Sequence, residues 1–147
     1  MTTLANSQQV DDFQNNGFVV LQQFLDKGQI KSIADKLDSF IANAVPHLPP
    51  QEVFYDDKSR PDSLKQIQQL FRHDPFFHDW MFESPFEQLA QDLLQSEVVG
   101  VNMQYFNKPP QTSLPTPPHQ DGYYFMLDPN EAVTMWLGLD SVDEGNG

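Results

Sequence analysis

The chain has 147 residues, no cysteine, 8 basic and 21 acidic side chains, and a formal net charge of −13. That length suits one domain with a moderate core, and the charge repels nucleic-acid phosphates and anionic lipid surfaces, so neither is an expected partner. Without cysteine there are no disulfides, thiolate-held zinc ions, iron–sulfur clusters or cysteine nucleophiles, which fits a cytoplasmic location. The first twelve residues lack a basic stretch followed by an apolar one, so no secretory signal is expected. No apolar run approaches the ~18 residues of a membrane span.

In chain order, Ser7 is placed to cap a short helix that turns Val10 and Phe13 inward, with Gly17 as its C-terminal cap. Phe18 to Leu21 reads as a strand. From Asp26 onward Ile30, Ile33, Leu37, Phe40, Ile41 and Val45 recur with helical period until Pro46, and the charged residues between them form a solvated face. His47 to Pro61 carries Pro49, Pro50 and Pro61 without apolar periodicity and reads as a long loop, either a lid or a surface connector. Leu64, Ile67, Leu70 and Phe71 make a second helical stripe. Ser84-Pro85 starts a helix bearing Phe86, Leu89, Leu93 and Leu94. Strand signals begin at Val98: Val98 to Phe106 is β-rich, and Val133, Met135, Leu137 and Leu139 alternate with Thr134 and Trp136. Asp128-Pro129-Asn130 is a turn between them. Helices followed by strands indicate an α+β fold.

The segment Pro117-Pro-His-Gln-Asp-Gly122 places His119 and Asp121 two residues apart. In an extended strand such residues share a face, so an imidazole and a carboxylate can converge on one ion, the donor types of a non-haem Fe(II) site with open positions. Four histidines at this acidic content give about 0.6 chance matches to His-x-acid, so the motif acquires meaning only from its flanks. Taken alone it reads equally as a polar pair at a strand edge.

Those flanks carry a resemblance. Gln104 to Phe106, then Asn107-Lys108-Pro109-Pro110, a proline-rich loop, His119-Gln120-Asp121, Trp136, Asp140 and the turn Val142-Asp143-Glu144-Gly145-Asn146-Gly147 follow one another in an order that resembles the phytanoyl-CoA dioxygenase family of Fe(II)- and 2-oxoglutarate-dependent oxygenases. Upstream, Ser63-Leu64-Lys65-Gln66-Ile67 followed by Asp74-Pro75-Phe76-Phe77 is similar to the family's segment before its barrel, so the resemblance spans roughly residues 11 to 147. It implies a single domain over residues 1–147, with a helical region at about 7–95 and the start of a double-stranded β-helix, a jelly-roll or cupin-like core, at about 97–147. It also implies Fe(II) held by His119 and Asp121, with 2-oxoglutarate as co-substrate. Lys65, nine residues before Asp74, matches family members in which a lysine contacts 2-oxoglutarate; the alternative is an exposed helix lysine. Gln104 falls where the family has a residue lining the co-substrate pocket, often methionine. Gln120 is carried over from within the motif, and Trp136 stands at the family's tryptophan position beside the co-substrate. Tyr123, Tyr124 and Phe125 either shape a substrate entrance or pack.

The family's metal site needs a further histidine and then a basic residue, and the sequence after Asp121 contains no His, Lys or Arg. The expectation is therefore the N-terminal part of an oxygenase that converts 2-oxoglutarate and dioxygen to succinate and CO2 while hydroxylating a small organic substrate. The rival readings are a non-catalytic truncated relative acting as a protein-interaction module, and a cupin-like metal hydrolase or isomerase.

Overall fold

Among the described residues four helices begin at a capping side chain, which fixes where each of those helices starts. The computed structural model describes residues 3–109 and 117–145; Pro110, the proline-rich stretch after it and the Asn146-Gly147 end of the last turn lie outside the described residues. The chain divides into two compact units, one drawn from the chain up to Val20, Phe71–Met103 and the described part of Pro115–Trp136, the other from Leu21–Leu70 and the described parts of Gln104–Leu114 and Leu137–Gly147.

In the first unit, α1 (Ser7–Asn16) is capped by Asn6, one residue earlier than expected. The reason is reciprocal: the Gln9 amide donates to Asn6 Oδ1 at 2.9 Å while Gln9 Oε1 accepts from the Asn6 amide at 2.8 Å, a box that Ser7 cannot build because Val10 stands three residues after it. Gly17 does close the helix, in the left-handed region at φ 79°, with its amide bonded to Phe13 O. Val10 and Phe13 are half-buried. Asp74 caps α4 (Pro75–Phe82), and Ser84 caps α5 (Pro85–Leu94), each helix having proline at its first position. Phe77, Leu89, Ala90 and Leu93 form the buried face, and the Trp80 and Phe86 rings, 5.9 Å apart, join α4 to α5. Asp92 on α5 ties down the chain's start by accepting the Leu4 and Ala5 amides at 2.6 and 3.0 Å.

In the second unit, α2 (Lys27–Asn43) follows the expected stripe, buries Ile33, Leu37 and Phe40, and carries an Asp26–Gln29 capping box. A 3-10 turn at Val45–His47 containing Pro46 ends it. The sheet is antiparallel, in the order β1 (Val53–Tyr55), β2 (Leu64–Ile67), β3 (Tyr105–Phe106). Val53 pairs with Ile67 and Phe54 with Gln66, with a bulge before Tyr55, while Gln66 and Ile67 pair with Phe106 and Tyr105. Helices plus this small sheet make an α+β protein.

Several expected elements differ. Leu64 and Ile67 belong to a strand rather than a helix, and only the turn α3 (Leu70–His73) follows the helical spacing. The loop expected from His47 to Pro61 contains β1. Its Val53 and Tyr55 find partners on β2, so long-range pairing overrides the local proline signal. Val98 to Phe106 is a strand only at its last two residues, and Val99 is 84% exposed. Neither Phe18 to Leu21 nor Val133 to Leu139 is a strand among the described residues. The latter keeps its alternation in burial, with 133, 135, 137 and 139 half-buried and 134, 136 and 138 exposed. An extended chain needs a neighbour to become a strand.

Candidate metal centre

His119 and Asp121 lie in the first unit and converge: His119 Nε2 is 3.2 Å from Asp121 Oδ1, with the side chains 41% and 38% exposed. A shared strand does not bring them together. Gln120 is extended (φ −119°, ψ 125°), and Asp121 opens α6 (Asp121–Phe125). One extended residue suffices to put its two neighbours on the same side, after which the chain coils because Met126, at φ 52°, closes a single helical turn. A Cβ at Gly122 would meet the side-chain amide of the exposed Asn130, which would have to swing aside.

Each member of the pair is oriented by a second group. The Nδ1 of His119 lies 2.8 Å from Pro117 O. A carbonyl only accepts, so Nδ1 carries the proton and donates, which leaves Nε2 facing the Asp121 carboxylate. At this separation a proton or a cation between Nε2 and the carboxylate holds the two together. On the far side of the carboxylate, Thr134 Oγ1 donates to Asp121 Oδ2, fixing the carboxylate plane. A ligating histidine oriented through its other nitrogen and a carboxylate held by a hydroxyl are the supports that metal ligands ordinarily have. The donor chemistry therefore fits a divalent cation at Nε2 and Oδ1. Among the described residues no group of three or more His, Asp, Glu or Cys side chains could hold a metal ion.

Pro118, His119, Gln120, Tyr123 and Tyr124 line an open groove of about 430 Å³. The Tyr124 ring meets His119 edge-on at 5.9 Å and Tyr123 at 5.6 Å, so these two aromatics stand beside the pair, whereas Phe125 is not among the lining residues. Trp136, 77% exposed, lies on the exposed phase of its segment and is also not among them.

Lys65 and Gln104 lie in the second unit. Lys65 is on β2, which replaces the exposed-helix alternative with a strand position. Its side chain is 28% exposed, and Nζ is 3.4 Å from Asp56 Oδ1. Gln104, just before β3, accepts from Gln66 Nε2 at 2.6 Å. Lys108 is exposed. Nearby, burial raises the Tyr105 phenol above its ordinary range, with the charges of Asp140 and Asp38 adding to the effect. Sequence reasoning did not single out Thr134, the Pro117 carbonyl or Asp56. The only sequence signal for Thr134 is that it shares the polar phase of its segment with Trp136.

An oriented imidazole beside a carboxylate supplies two of the donor types that a non-haem metal site uses. The chain belongs to the phytanoyl-CoA dioxygenase (PhyH) family, whose model matches residues 13–147; members of this family are typically Fe(II)- and 2-oxoglutarate-dependent oxygenases. It is similar to an Arabidopsis thaliana phytanoyl-CoA dioxygenase, 23% identical over 171 residues that cover 95% of this chain and 60% of that protein. The chain thus spans about three-fifths of the relative's length. No solved structure matches. Among the described residues no helix is long and apolar enough to cross a membrane.

Proposed function

We propose that residues 1–147 form part of an Fe(II)- and 2-oxoglutarate-dependent dioxygenase that hydroxylates a small organic substrate in the cytoplasm, the chain being the helical region and the start of a jelly-roll domain. The observation that carries this reading is the 3.2 Å approach of His119 Nε2 to Asp121 Oδ1, each oriented from behind, within a chain of this family. Bound Fe(II) would supply the oxidising chemistry, with 2-oxoglutarate and dioxygen as co-substrates and succinate and CO2 as products.

The protein's own part is positioning. His119 contributes a neutral donor, kept in one tautomer by Pro117. Asp121 contributes a negative charge that offsets half of a divalent cation's charge, and Thr134 prevents its carboxylate from rotating. Lys65 offers an ammonium to a carboxylate of the keto acid, with Gln104, Gln120 and Trp136 assigned by resemblance to the walls of the co-substrate site. Tyr123 and Tyr124 give the groove beside His119 apolar faces suited to an organic substrate.

Anaerobic titration of Fe(II) into the 147-residue chain tests this reading. One equivalent should bind, and His119→Ala and Asp121→Ala should each abolish binding while leaving the circular dichroism spectrum unchanged. Equal iron binding by both variants would rule out the pair as ligands. The rival, a non-catalytic interaction module, draws on the exposure of Tyr123, Tyr124, Met126 and Trp136. It predicts a partner whose binding is indifferent to both substitutions.

A further inference from the structure

Lys65 is a half-buried ammonium already paired with a carboxylate that is more enclosed than itself. Asp56 is 12% exposed, and its Oδ2 is buried and accepts no hydrogen bond among the described residues. The backbone that carries it is held by hydrogen bonds. Asp56 follows β1 directly, and its amide donates to Ser63 O at 3.0 Å. The fully buried Ser63 then closes the loop: its hydroxyl accepts from the Asp57 amide at 3.0 Å and lies 2.7 and 2.8 Å from the carbonyls of Asp57 and Arg60. Lys65 sits two residues beyond Ser63 on β2, and its own carbonyl is fixed by the Asn107 amide at 2.8 Å. Both charges therefore leave a pinned backbone. A long, flexible lysine stem beside a shorter, more enclosed carboxylate is a pair whose geometry Asp56 sets.

We infer that Asp56 is a positioning residue for anion binding at Lys65: it holds the ammonium in place and offsets its charge, so that an anion binds there more weakly than it would at an unpaired ammonium. This rests on the reading that Lys65 takes a carboxylate of the keto acid. A free ammonium binds any passing phosphate or carboxylate, whereas one neutralised by a carboxylate 3.4 Å away offers an incoming anion an ammonium and a repelling charge together.

The test is calorimetric titration of 2-oxoglutarate, without metal, into the unaltered chain, Asp56→Asn, Lys65→Ala and the double variant, each checked for a cooperative thermal transition. Asn preserves the shape and an oxygen that accepts from Lys65, so the position is kept and only the charge is lost. Asp56→Asn should bind 2-oxoglutarate about three- to tenfold more tightly than the unaltered chain, and the double variant should lose that gain. If Asp56→Asn does not fold, Asp56→Ser, which also retains an accepting oxygen, carries the same expectation. A gain that survives in the double variant traces to net charge and overturns the inference. Weaker binding by Lys65→Ala with no effect of Asp56→Asn leaves Lys65 an anchor but removes the counter-ion role. Affinity unaltered by any of the changes, or undetectable in all four proteins, overturns both.

Discussion

The hydroxyl of Thr134 offers the most discriminating perturbation of the candidate metal centre, because it hydrogen-bonds Asp121 Oδ2 and sits on an exposed residue. Thr134→Val keeps the volume and the β-branch and removes the donor. Loss of a partner that orients a ligand costs between about 10- and 100-fold in metal affinity. Asp121 is 38% exposed, so water replaces part of what the hydroxyl supplied, and the lower limit applies: about tenfold, or ~1.4 kcal/mol. Folding stability should change by no more than about 0.5 kcal/mol, as for other surface substitutions. That gap between the two effects separates a ligand-orienting role from a structural one. The assay is calorimetric titration with Co(II), which needs no anaerobic handling, on the unaltered chain, Thr134→Val and Thr134→Ser, with urea denaturation in parallel. Serine retains the donor and should bind nearly as the unaltered chain does. Equal Co(II) affinity in the valine variant would refute the orienting role, and a chain that takes up no Co(II) would refute the pair itself.

Three further outcomes follow from the packing. Ser63→Ala deletes a buried hydroxyl and leaves the Asp57 amide without its acceptor, which should cost about 1–3 kcal/mol in urea denaturation; a change too small to resolve would show that the β1–β2 loop does not depend on it. Ile67, fully buried at the centre of the sheet, should lose about 2–5 kcal/mol on replacement by alanine, whereas Tyr123→Ala on the groove rim should remain within about 0.5 kcal/mol. Burial pushes the Asp92 carboxyl upward, but the amides of Ala5, Leu4 and Gln88 outweigh it and hold it below the ordinary aspartate range. Its contribution is therefore complete above the unfolded value of about 3.9 and is lost as the pH falls through the lower folded value. Asp92→Asn should melt earlier than the unaltered chain at neutral pH, with the difference closing as the pH falls below about 4; a difference that stays constant would show that the charge is not what pins the N-terminal segment.

What could be read from the sequence was whatever is encoded within one segment. Helix α2 was legible because its stripe from Ile30 to Val45 and the Asp26 start lie in consecutive residues, and α5 because Ser84-Pro85 announces it. The sheet was not, because Leu64 and Ile67 satisfy helical spacing and strand burial equally well. What decides is pairing with Val53 on one side and Tyr105 on the other, the second separated from β2 by the whole α3–α5 region. The segment 133–139 shows the converse: its alternation is real and visible in burial, yet no partner strand is present among the described residues. At the metal centre the convergence of His119 and Asp121 was legible from their spacing, although one extended residue before a short helix achieves it. Thr134 is separated from Asp121 by α6 and a turn, and Asp56 from Lys65 by the β1–β2 loop, so no local pattern marks either contact.

The two sets of candidate ligand-binding residues, each within its own unit, have different mechanical support. Lys65 projects from a central strand, with neighbours bonded on both sides and a counter-ion on a pinned backbone. His119 and Asp121 rely on a carbonyl two residues away, one threonine hydroxyl, and a five-residue helix that buries none of its residues. A pair supported so lightly gains order from its ligand, since a species that binds only the converged arrangement stabilises it by mass action. The free energy of metal binding is then partly spent on ordering residues 117–125, so affinity for the ion depends on Pro117 and Thr134 as well as on the two donors. A segment that must be ordered to bind also stays open to exchange when the ion is absent. Metal uptake should therefore slow backbone hydrogen exchange in residues 117–125 while leaving β2 around Lys65 unchanged. Equal protection with and without the ion would mean that the pair is already as rigid as the sheet.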